Sequence, residues 1–179
     1  RVLFRSRSAE LERNLLEFLV LPPFDDSQRI MVSRVMCSIA FEHAESAKIL
    51  ISAGNLTSAT GLVRLQYEAL VRAMWLLYAA SDAAIDKLLA PLTQQSEQAA
   101  KNLPGASEMI EQIGKRVGQG APAAAHQMLL HFKDVTWHGM NSFVHGGIHP
   151  LRRNAEGFPV HLALQRSEEH TSELQSRQC

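Results

Sequence analysis

The chain has 179 residues, 46% of them hydrophobic, and its 18 basic and 18 acidic side chains cancel to a net charge of zero. Balanced charge excludes the electrostatic footprint of nonspecific nucleic-acid or anionic-membrane binding. The longest apolar run, Ala73 to Ala80, is far short of the ~20 residues that span a bilayer, so a soluble, cytoplasmic protein without membrane contact is expected.

Helical periodicity runs through the chain. Ser8 to Leu21 reads as a helix, with Leu11, Leu15, Leu16, Phe18 and Leu19 apolar and Pro22-Pro23 as its stop. Ser27 to Ala53 is a second, long helix, ended by Gly54-Asn55. His43 lies on its apolar stripe and reads as a core histidine bonded to backbone or a glutamate.

Thr57 to Ala80 is the third helix. It is apolar around most of its circumference, the pattern of a central, buried helix. Shorter helices follow over Asp82 to Leu92, Gln94 to Asn102 and Ser107 to Val117. Ala123 to Val144 is a further helix or a closely joined pair, closed by Gly146-Gly147 and Pro150. No segment alternates with period two. The fold class expected is all-α, an antiparallel bundle of about five to seven helices with no sheet.

The two ends encode one another. Arg166 to Thr171 can be written AGA TCG GAA GAG CAC ACG. The reverse complement, CGT GTG CTC TTC CGA TCT, translates as Arg-Val-Leu-Phe-Arg-Ser, which is residues 1–6. Residues 1–6 and 166–179 are therefore expected to be translated adapter DNA, leaving 7–165 as a single helical domain, truncated at both ends. Setting aside Arg1, Arg5, Arg166 and Arg177, with Glu168, Glu169 and Glu173, reduces the 18 residues of each sign to 14 basic and 15 acidic, a net charge of −1. Cys179 goes with them. Cys37 alone cannot form an internal disulfide, which suits a reducing compartment.

Two polar stripes can carry chemistry. On the third helix, Arg64, Glu68 and Arg72 are spaced i, i+4, i+8 and share a face. They form either a solvated ladder of ion pairs or a partly buried binding stripe, and buried charges need partners. On the late helix, Asp134, His138, Asn141 and His145 are spaced four, three, four, with His131 a turn earlier. Histidine exchanges protons near neutral pH, and Asp134 is placed to fix the tautomer of His138. The alternative is a set of surface and helix-end histidines, with His145 suited to the negative end of a helix dipole. No His-Glu-x-x-His or Cys-x-x-Cys spacing is present, so no metal and no cofactor is expected.

The stretch Leu65 to Leu77, taken with Asn141-Ser142-Phe143-Val144-His145-Gly146-Gly147, resembles bacterial helical proteins of unknown function. It is also similar to the HEPN superfamily of helical bundles, many of them dimeric, metal-independent ribonucleases. Their motif is Arg, a polar residue, then His four positions after it. Asn141 and His145 match the last two, and Met140 stands at the Arg position. The resemblance implies a degenerate HEPN-like domain that binds RNA or a protein partner, with a homodimer as one candidate assembly. It leaves two alternatives open. One is an active ribonuclease using His145, Asn141 and Arg72 from the facing helix. The other is a structural or small-molecule-binding domain.

Overall fold

The computed structural model describes residues 2–158, with side chains from Glu10 onward. Eight helices occupy most of this span: α1 (Val2–Val20), α2 (Gln28–Ser52), α3 (Leu56–Tyr78), α4 (Asp82–Leu89), α5 (Gln94–Ala100), α6 (Ala106–Gly114), α7 (Ala123–Val144) and α8 (Ile148–Glu156). Among the described residues there is no strand, only an isolated bridge between Val117 and Ala121. The all-α expectation is met. Segment 166–179, expected to be adapter-derived, lies outside the described residues, whereas residues 2–6 form the start of α1.

Local sequence explains the helix boundaries. Ser27 and Ser81 cap α2 and α4 by accepting the backbone N–H groups of Ile30 and Ala84. Thr93 and Ser96 form a reciprocal capping box at the start of α5. At the end of α2, Gly54 takes φ +83°, Gly54 N–H donates to Ile51 O, and Asn55 N–H donates to Leu50 O. The end of α7 has the same form: Gly146 takes φ +65° and Gly147 N–H donates to Ser142 O at 2.7 Å. α8 is a helix beyond those expected from the sequence. Pro150 stands in its first turn, where a backbone N–H has no intrahelical acceptor, so proline is tolerated rather than helix-breaking.

The described residues divide into two compact units, 22–150 and 2–21 with 151–158. In the smaller unit, Leu11, Leu15 and Phe18 of α1 are exposed. In the larger unit α3 is central: it packs along α2 and also against α6 and α7. The buried residues of α2 are mostly small, Ser33, Ala40 and Ala47, so α3 can approach closely. Ser33 Oγ donates to Ala73 O at 2.9 Å within this contact. Arg29 ties the start of α2 to the far end of α3, donating to Leu76 O at 2.7 Å and pairing with Asp82 at 2.8 Å.

The core collects Val71, Trp75 and Leu76 of α3, Ile85 of α4, and Met109, Ile110 and Ile113 of α6, with Val32 and Tyr67. Trp75 Nε1 donates to Gln112 Oε1 at 2.7 Å, which satisfies the indole N–H of a deeply buried ring. His43 departs from expectation. It is half-buried and makes no hydrogen bond among the described residues. No described helix is long and apolar enough to cross a membrane.

Candidate functional site

The two polar stripes meet at one point, where Arg64 of α3 reaches Asn141 of α7. Arg64 is 7% exposed, one of the two buried polar residues of the chain among those described. A charge this far from water must be compensated, and Trp137, Asn141 and Glu68 surround the guanidinium. Nε and Nη2 donate to Asn141 Oδ1 at 3.3 and 3.2 Å. The guanidinium carbon lies 3.6 Å from the centroid of the Trp137 ring, a cation–π stack. Nη1 stands 2.6 Å from Glu68 Oε1, close enough for an ion pair but without the alignment of a hydrogen bond. Glu68 is itself 41% exposed, so its carboxylate keeps part of its hydration.

Tyr67, one helical position from the next turn of the stripe, extends the contact. Its ring lies 4.9 Å from Phe132 and 6.2 Å, edge-on, from Trp137. Its hydroxyl donates to Leu129 O at 2.7 Å. Burial pushes the Tyr67 phenol up to about 12, with Arg64 pulling the other way and Asp134 adding slightly to the rise. A phenol held neutral in this way donates a hydrogen bond and is a poor base near neutral pH.

These contacts also fix the direction of α7. Arg64 meets Asn141, while Tyr67 meets Trp137, Phe132 and Leu129, so α3 and α7 run antiparallel. Arg72 lies eight residues after Arg64, about 12 Å along α3 at 1.5 Å per residue. His145 lies four residues after Asn141, about 6 Å along α7 in the opposite direction. The two are thus offset by roughly 18 Å along the helix axes. Arg72 is half-buried and makes no hydrogen bond or ion pair among the described residues.

The remaining expected residues lie outside this contact. Asp134, His138 and His145 are exposed, as is His131. His145 is the C-cap of α7, and its backbone N–H donates to Asn141 O at 3.0 Å. Met140, beside Asn141 in sequence, is buried at 5% exposure. The stripe read from sequence therefore straddles the rim of the helix contact: Asn141 is on its inner edge and the histidines are on its outer edge. Trp137 is a site residue outside both stripes expected from the sequence. The available signal was its position four residues before Asn141, which puts both on one face of α7.

Two other features bear on chemistry. Cys37 is a free, half-buried thiol, and burial pushes its pKa up against the opposing pull of Arg34, which disfavours the nucleophilic thiolate. A groove of about 760 Å³ runs between α6 and α7, lined by Ile110, Glu111, Lys115, His126, Leu130 and Lys133 among others. It contains none of the expected site residues. No group of three or more His, Cys, Asp or Glu among the described residues is placed to hold a metal ion.

Residues 37–171 match the family of unknown function DUF6988, and the chain belongs to that family. No curated protein and no solved structure matches it.

Proposed function

We propose that this DUF6988 member is a catalytically silent, HEPN-like helical domain of the cytoplasm that acts by binding a protein partner and does not cleave RNA. The observation that carries this reading is the engagement of Arg64. Of the arginines on its stripe it alone reaches Asn141, and its guanidinium is already stacked on Trp137, bonded to Asn141 and paired with Glu68. An arginine that holds a scissile phosphate needs its N–H fork free to face the substrate. The position where the ribonuclease motif carries its arginine is Met140, which points into the interior. His145 sits at an exposed helix end, offset from Arg72. The near-zero net charge favours a protein partner over RNA. A second copy of the chain is one such partner, read out by light scattering on the purified protein.

The test is RNA cleavage by the purified chain and by its His145→Ala variant, with binding of the same RNA followed at low salt. The expected outcome is no cleavage by either and only weak, salt-sensitive binding. Cleavage by the parent chain that disappears in His145→Ala overturns the reading in favour of an active ribonuclease. Tight, salt-resistant RNA binding without cleavage replaces the protein partner with RNA.

A further inference from the structure

We draw no further inference here: the strongest candidate, the exposed apolar flank of α2 formed by Met31, Val35, Ile39 and Ile49, carries nothing because nothing in the structure shows what covers it.

Discussion

Replacing Arg64 by alanine removes the buried contact that joins α3 to α7. Stacking of a desolvated guanidinium on Trp137 is worth up to about 2 kcal/mol. The two N–H contacts to Asn141 are long, at 3.2 and 3.3 Å, and contribute roughly 1 kcal/mol together. Glu68 is 41% exposed, so its pairing adds only a few tenths, about 0.3 kcal/mol. Burial of the apolar stem adds about 1 kcal/mol more. Arg64→Ala should therefore lose up to about 4 kcal/mol, a large share of the ~5–15 kcal/mol typical of a folded domain. Urea unfolding followed by far-ultraviolet circular dichroism measures it. Arg64→Lys keeps the charge but not the planar fork, and should still lose about 2 kcal/mol. A cycle with Asn141→Ala should give a coupling of about 1 kcal/mol. A loss below about 0.5 kcal/mol for Arg64→Ala, the range of open-surface substitutions, would refute the buried clamp.

Other contacts yield smaller, separable effects. Tyr67→Phe removes the phenol hydrogen bond to Leu129 O and should cost about 1 kcal/mol in the same unfolding assay. Because the folded-state phenol titrates near 12 against 10 unfolded, its neutral form contributes stability that is intact below pH 10 and is lost as pH rises through about 12. Absorbance titration should show a late-ionising tyrosine that Tyr67→Phe removes; simple ionisation of both tyrosines near pH 10 contradicts it. A Cβ on Gly114 would lie 2.9 Å from His126 Nε2, which contacts Ile110 O at 3.1 Å. Gly114→Ala should cost about 1 kcal/mol in the parent chain but gain about 0.5 kcal/mol in His126→Ala, where only the helix preference remains. The same sign in both backgrounds counts against the contact. Ser142 Oγ accepts the His149 N–H at 3.0 Å in the first turn of α8. Ser142→Ala should speed amide exchange at His149 and fray α8 at a cost of about 1 kcal/mol, and unchanged exchange speaks against this cap.

Much of the helix pattern was legible because start and stop signals are local. Pro22-Pro23 and Gly54-Asn55 end α1 and α2 where expected, and the apolar circumference of Thr57–Ala80 identified the central helix. α8 was not legible, since Gly146-Gly147 and Pro150 read as terminators. A proline three residues into a helix and one just beyond a helix look alike in sequence. Both stripes of the candidate site were visible as periodicities, but their mutual register was not. Spacing within α3 places Arg64 and Arg72 on one face, and only the antiparallel packing of α7 decides which of them meets Asn141. Similarly, a face shared by Asp134, His138, Asn141 and His145 spans the boundary between interior and solvent. Periodicity cannot say where that boundary falls; the bulk of Trp137 and Tyr67 decides it by occupying the inner side.

Arg64 is committed to holding α3 against α7 and is not available to a substrate phosphate. Nuclear magnetic resonance of the Arg64 Nε–H tests it most directly, with the signal assigned by its loss in Arg64→Lys. The expected signal is a slowly exchanging proton, shifted by the Trp137 ring, whose resonance stays unmoved as an RNA oligonucleotide is added. A fast-exchanging proton, or a saturable shift on adding RNA, would contradict it.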